Sequence, residues 1–179
     1  IFITFVMAIV FRESLRVWLF AKCGVRICES PCEDYEKLYD AVLLYSEKDY
    51  ELVTREIAAE LEIRPPPLRL CLQHRDLSHD ATYLQILESA RASKRVVVLL
   101  SRNFIQTEWS RYEVRNAVHE SLKDRPQKLV ILEENDAIVE AENDLEMLPY
   151  IRSRVVNTIK LSDKHFWEKL RYALPAELQ

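Results

Sequence analysis

Glycine is almost missing: Gly24 is the single one in 179 residues. A phosphate-cradling P-loop, a dinucleotide fingerprint and a nucleophile elbow each need two or more glycines at fixed spacing, where backbone approaches a ligand or turns with positive φ. Most ATPases, kinases, Rossmann dehydrogenases and α/β-hydrolases are thereby excluded. An excess of positive charge is missing too. Lys and Arg number 25 against 29 Asp and Glu, giving a formal charge of −4 and a pI near 5.7. A nucleic-acid binder would show a basic surplus, so no nucleic-acid partner is expected. Cysteines are few and badly spaced for pairing. Cys23, Cys28, Cys32 and Cys71 form no CxxC, so they make no disulfide framework, and reduced thiols in a cytosolic setting fit better. The first three follow an apolar segment, where reversible palmitoylation stands as the alternative to exposed linker thiols.

No apolar run reaches membrane-spanning length. Residues 1–11, IFITFVMAIVF, are apolar except for Thr4. As a helix they would cover roughly 16 Å, at about 1.5 Å per residue, of a hydrocarbon core about 30 Å thick. Beginning at Ile, the run reads as the second half of a transmembrane helix whose upstream part precedes it. Arg12, Arg16, Lys22 and Arg26 follow, with Trp18 at interfacial depth, as the positive-inside rule places them at a cytoplasmic end. No basic region precedes the run, so a signal peptide does not fit. A buried amphipathic helix of a soluble domain stands as the alternative, although Arg12, Glu13 and Arg16 interrupt the periodicity it would need. Residues 1–20 are therefore assigned to a membrane and juxtamembrane segment, 21–36 to a linker, 37–175 to a folded domain and 176–179 to a tail.

Within the domain the chain alternates between strand and helix. Tyr39, Asp40 and Ala41 open the most telling stretch, YDAVLLYS, a buried strand ending at Tyr45 and Ser46. Ser46 with Asp49 three positions later is a helix-capping signal. A helix is expected over 47–62, with Tyr50, Val53, Ile57 and Leu61 on one face. Pro65, Pro66 and Pro67 stop it. A short strand follows over 68–72, a polar loop over 73–81, and a helix over 82–93 carrying Leu84, Leu87 and Ala90 with Arg91. Residues 95–100, RVVVLL, form the most deeply buried strand. A long helix over 108–123, strands over 128–132 and 155–161, and a helix over 164–174 complete the set. At least four strand–helix alternations mean a mostly parallel sheet with helices on both faces and right-handed crossovers. The fold class is α/β, flavodoxin-like, with about five strands. In such sheets the loops at the carboxyl ends of the strands carry function.

The densest polar cluster lies in one of those loops: His74, Arg75, Asp76, Leu77, Ser78, His79, Asp80 and Ala81. YDAVLLYS, then HRDLSHDA, then Phe166-Trp167 opening the last helix, resemble the three boxes of the Toll/interleukin-1 receptor (TIR) domain. RVVVLLSRNFIQTEWSRYE, from Arg95 to Glu113, is similar to that family's third strand and following helix. The half-span with FRESLRVWLFAKCGVR resembles the juxtamembrane part of invertebrate Toll receptors. The resemblance implies a single-pass receptor whose cytoplasmic TIR domain signals in innate immunity or development, with a leucine-rich-repeat ectodomain upstream. It implies homodimerisation through TIR domains, recruitment of a TIR-containing adaptor, and no cofactor. By position, residues 75–81 match the interaction loop, with Arg75-Asp76 on the family's Arg-Asp pair. His79 and Asp80 stand where proline and glycine are customary, which alters the turn. The plainer reading makes Asp76 or Asp80 a cap for the next helix. His79 reads as a solvated, silent imidazole or, alternatively, as an exposed one that makes docking pH-sensitive.

An enzymatic alternative also follows from the resemblance. Some TIR domains cleave NAD with a glutamate four residues beyond a tryptophan, and Trp109 and Glu113 have that spacing. On one helix they would share a face, and a carboxylate beside a developing oxocarbenium centre lowers the barrier. The structural alternative packs Trp109 and pairs Glu113 with Arg111 or Arg115. Cys71, His74 and His79 make a poor metal set, since strand alternation points Cys71 away and no fourth ligand appears. No metal is expected. A response-regulator receiver shares the layout but needs an aspartate ending the third strand, where Leu100-Ser101 stands. The acidic run over 133–147 reads as a solvated loop or, alternatively, a surface for a partner's basic loop. Phe166-Trp167 reads as a core anchor.

Overall fold

The computed structural model describes residues 37–77, 81–123, 125–134, 137, 146–153 and 156–174. The expected membrane segment, linker and tail, together with Ser78, His79 and Asp80, lie outside the described residues.

Five strands form one parallel sheet in the order β2-β1-β3-β4-β5. They are β1 (Tyr39–Leu44), β2 (Leu70–Leu72), β3 (Ser93–Leu100), β4 (Leu129–Glu133) and β5 (Asn157–Lys160). The helices are α1, α2 (Gln73–Asp76), α3 (Tyr83–Arg91), α4 (Arg102–Thr107), α5 (Tyr112–Leu122), α6 (Leu148–Ile151) and α7 (Phe166–Ala173). α1 is composite: a 3₁₀ turn over Glu47–Asp49, an α-helical turn over Tyr50–Leu52, a π segment over Val53–Ala58 and an α-helical end over Ala59–Ile63.

Strand periodicity sorts the core into two layers. Val42, Leu44, Val96, Val98, Leu100 and Ile131 face the layer packed by α3 and α5. Ala41, Leu43, Val97, Leu99, Val130 and Ile159 face the layer packed by α1 and α7. Because both faces are covered, the inner strands read as unbroken apolar runs, and each such side chain contributes about 1.5–3 kcal/mol by leaving water. The chain leaves β1 toward β2 on one side and returns to β3 on the other. The topological switch point therefore lies between β1 and β3.

Several expected boundaries move. β2 keeps only its last three residues, because Leu68 N–H bonds the carbonyl of Leu61 at the end of α1. The π segment in α1 inserts extra residues into the turn and shifts its phase. Val53, Ile57 and Leu61 are buried while Tyr50 drifts outward, so the four do not share one face. The inward stripe of α3 is Ile86, Leu87 and Ala90, and Leu84 is exposed. α3 ends at Arg91, and Ser93 already belongs to β3. The expected helix over 108–123 begins late, and a separate short helix that was not expected precedes it. Ser101 Oγ accepts from Phe104 N–H at 3.0 Å and starts α4, while α5 begins only at Tyr112. The polar loop over 73–81 opens with the helical turn α2.

One charged pair sits inside the sheet's amino end. Lys94 Nζ lies 2.8 Å from Asp40 Oδ1, with side chains 4% and 6% exposed. Asp40 Oδ2 accepts from Arg69 N–H at 2.8 Å, and its own N–H bonds the Arg69 carbonyl. The pair thus staples β1, β2 and β3 together. Removing one partner strands the other charge in low dielectric. Lys94→Met is expected to cost about 3–5 kcal/mol in urea unfolding; a loss below about 1 kcal/mol would show that the pair is dispensable.

Candidate functional site

The loop after β2 begins as α2, which turns its polar side chains back on the domain. The guanidinium of Arg75 donates to both carboxylate oxygens of Glu62, at 2.8 and 3.0 Å, and to the Leu70 carbonyl at 3.2 Å. It also donates to Asp76, whose Oδ2 accepts from Leu72 N–H at 2.8 Å. The Arg-Asp pair therefore fixes the root of the loop, although both residues keep part of their surface in solvent. At the far end, Arg111 Nη2 donates to the Ala81 carbonyl at 3.1 Å. Leu77 packs against the core and Ala81 is buried. The helix that follows is capped by Thr82, not by Asp76: Thr82 Oγ1 accepts from Gln85 N–H, and the Gln85 side chain accepts from Thr82 N–H at 2.9 Å.

Behind the loop lies a buried polar group that sequence reasoning missed. Glu108 accepts from Gln73 Nε2 at 2.7 Å and from Arg111 Nη1 at 3.2 Å, with His74 Nε2 3.8 Å away. The His74 imidazole N–H donates to the Tyr45 carbonyl at 2.9 Å, and its ring meets that of Tyr45 edge-on. Glu108 thus joins the β2 loop, through Gln73 and Arg111, to the connection between α4 and α5. The Glu108–Arg111 spacing of three is the signal that would have marked it.

Trp109 and Glu113 do not share a helical face. Trp109 lies on the connection before α5, 1% exposed, its N–H bonded to the Phe104 carbonyl at 2.9 Å. Glu113 stands exposed in the first turn of α5. Its expected partners are engaged elsewhere, Arg111 with Glu108 and Arg115 with Glu146 at 2.6 Å. Nearby, an apolar cavity of about 10 Å³ is lined by Val98, Leu100, Trp109, Ile131 and Met147.

Hydrogen bonds cross the switch point. Asp49 does not reach back to complete a capping box at Ser46; its carboxylate accepts from Ser101 Oγ and, at 2.8 Å, from Asn103 Nδ2. Ser46 Oγ accepts from Lys48 N–H and meets Thr107 Oγ1 at 3.1 Å. These bonds span the place between β1 and β3 where such sheets hold small ligands. Phe166 is buried in the α1/α7 layer with Trp167 half-buried against it, ring centroids 4.8 Å apart. The acidic run is not wholly solvated: Glu133 ends β4 and is buried. Among the described residues no three His, Cys, Asp or Glu converge as a metal site.

The comparisons agree with this geometry. A family model described as TIR domain matches residues 42–173. Toll-like receptor 7 of Drosophila melanogaster is 61% identical over 171 residues, 96% of this chain and 12% of the relative. Protein toll of the same fly is 31% identical over 168 residues, 92% of this chain and 15% of the relative. The chain thus spans less than a sixth of either receptor. The crystal structure of the TIR domain of the Toll-related receptor TRR-2 from Hydra magnipapillata covers 74% of this chain and 95% of its own, with a TM-score of 0.51 at 17% identity, which speaks to the fold alone.

Burial also sets two acidities at this edge. It pushes the Cys71 thiol from the ordinary 9.0 up to about 11, with the Asp76 carboxylate adding to the rise. It pushes the Tyr45 phenol from 10.0 up to about 12. The unfolded chain releases both protons earlier than the folded one, so stability is full below about pH 9 and falls as pH rises toward the folded values. Urea midpoints measured on either side of pH 9 should decline on the alkaline side. The decline should shrink in Cys71→Ala.

Proposed function

The chain belongs to the TIR domain family, in its Toll-receptor branch, and on that premise we propose that it is a receptor's cytoplasmic signalling module. It pairs with a second copy of itself and recruits a TIR-containing adaptor when the receptor's outer part is engaged. The observation that carries this reading is the β2 loop, anchored at its root by Arg75 on Glu62 and at its far end by Arg111 on the Ala81 carbonyl. Pinned ends limit the conformational freedom that docking would remove, which strengthens a small contact. Arg75, Asp76 and His79 form that contact, while Leu77 and Ala81 set the loop's shape from within. Among the described residues no helix is long and apolar enough to cross a membrane; the segment over 1–20 supplies the membrane attachment and makes the receptor single-pass. Tethering raises the effective concentration of neighbouring domains, so weak contacts suffice.

The placement of Trp109 and Glu113 supports assembly over catalysis. NAD cleavage would need Glu113 beside a ribose with Trp109 on the same face. Glu113 instead stands in solvent, while Trp109 packs below.

Two measurements check the proposal. Arg75→Ala, Asp76→Ala and His79→Ala together should lower co-precipitation of an adaptor TIR domain about tenfold, the loss expected on removing interface anchors. Glu62→Ala, which leaves Arg75 held only by Asp76 and the Leu70 carbonyl, should lower it less. Unchanged recovery in the triple variant would refute the contact. Separately, the protein incubated with NAD should release no nicotinamide above the protein-free rate. Turnover that disappears in Glu113→Gln would overturn the non-enzymatic reading.

A further inference from the structure

The sheet has a second edge, opposite the β2 loop, where strands begin and helices end. Its exposed bases include Arg64, Arg69, Arg91, Lys123 and Arg152, each at or just past a helix end or at a strand start, with Arg64 2.9 Å from Glu60, Arg69 3.8 Å from Asp40 and Arg91 3.8 Å from Glu120. Three of the elements meet closely there. Arg69 donates to the Lys37 carbonyl at 3.3 Å, and Lys37 Nζ donates to the Arg91 carbonyl at 2.9 Å. Bases at helix carboxyl ends complement the helix dipole, and that alone would account for the charge. It does not account for the apolar side chains among them. Leu38 is 66% exposed beside Lys37, and Ile63 is 76% exposed beside Arg64, followed by three exposed prolines. Bare apolar side chains set among cations match a membrane interface, where headgroups meet the bases and the acyl boundary takes the apolar tips.

The chain enters the domain at Lys37, on this same edge. The segment read as a membrane tether therefore joins the domain at this edge and not at the β2 loop. The opposite edge mixes exposed acids such as Glu47 and Glu113 with exposed bases such as Lys48, Arg102 and Lys164, while the amino edge sets the bare side chains of Leu38 and Ile63 among its bases.

We propose that this basic, apolar-studded edge rests on the anionic surface of the inner leaflet, so that the β2 loop faces away from the membrane. The proposal rests on the tether read in residues 1–20. Its chemistry is that of several bases and two apolar tips against phosphatidylserine headgroups, without a pocket for any one lipid.

The test uses the whole 179-residue chain, added to preformed vesicles and recovered by flotation, with lysine acetylation read by mass spectrometry. Flotation with phosphatidylcholine vesicles is expected from the tether alone. With phosphatidylserine included, labelling of Lys37 and Lys123 should slow about threefold or more, while Lys48 and Lys164 at the other edge keep their rate, and added salt should reverse the protection. Arg64→Glu with Arg91→Glu, both exposed positions, should abolish the difference and leave flotation intact. Unchanged labelling, or equal slowing at both edges, overturns the membrane-facing surface and leaves the tether standing. Failure to float with phosphatidylcholine overturns the tether and this surface with it. Equal protection by soluble phosphoserine would assign the bases to a free anion and overturn the membrane as their partner.

Discussion

Burial of the sheet on both faces is the constraint from which the rest of this structure follows. With helices above and below, the middle of a strand such as β3 can carry only apolar side chains, from Val96 through Leu100. Polar groups are displaced to the ends of the strands, where they must find partners or water. At the amino end that need produces the Asp40–Lys94 pair; at the carboxyl end it produces the Asp49, Ser101 and Asn103 set. Both tie β1 to β3, the two strands between which the chain reverses direction.

The two edges then diverge in character. At the carboxyl edge, hydrogen bonds at Ser46 and Asp49 cross the switch point, and Glu108 braces the β2 loop from behind. The amino edge gathers helix carboxyl ends and strand starts, so the same topology that places the loop places the bases opposite it. One parallel architecture thus yields two edges of different make-up, separated by the length of a strand.

Much of this was legible in the residues. The five strands, their parallel arrangement and the two-sided burial follow from uninterrupted apolar runs such as YDAVLL and RVVVLL, whose patterning is local. The family boxes were legible for a similar reason, since each is a short contiguous stretch. The misplacements have particular causes. Tyr50 left the buried face of α1 because a π segment changed the helix phase. The helix expected from 108 starts only at Tyr112, because Trp109 turns inward on the connection that follows α4, a short helix capped by Ser101.

Side-chain partnership is what patterning could not supply. Asp49 reads as a capping residue from its neighbours, yet it bonds across to β3 because folding brings Ser101 and Asn103 within reach. Arg75 reads as an outward hook, yet Glu62, thirteen positions earlier, draws it back. Glu108 drew no notice beside the spacing of Trp109 and Glu113, and only the tertiary contact with Gln73 shows it to be the buried acid. The sequence by itself determined the layers, the strand order class and the family, because periodicity and contiguous motifs are properties of neighbours along the chain. Which acid is buried and which base is held were decided by the tertiary structure, because those pairings join residues that only the completed sheet makes adjacent.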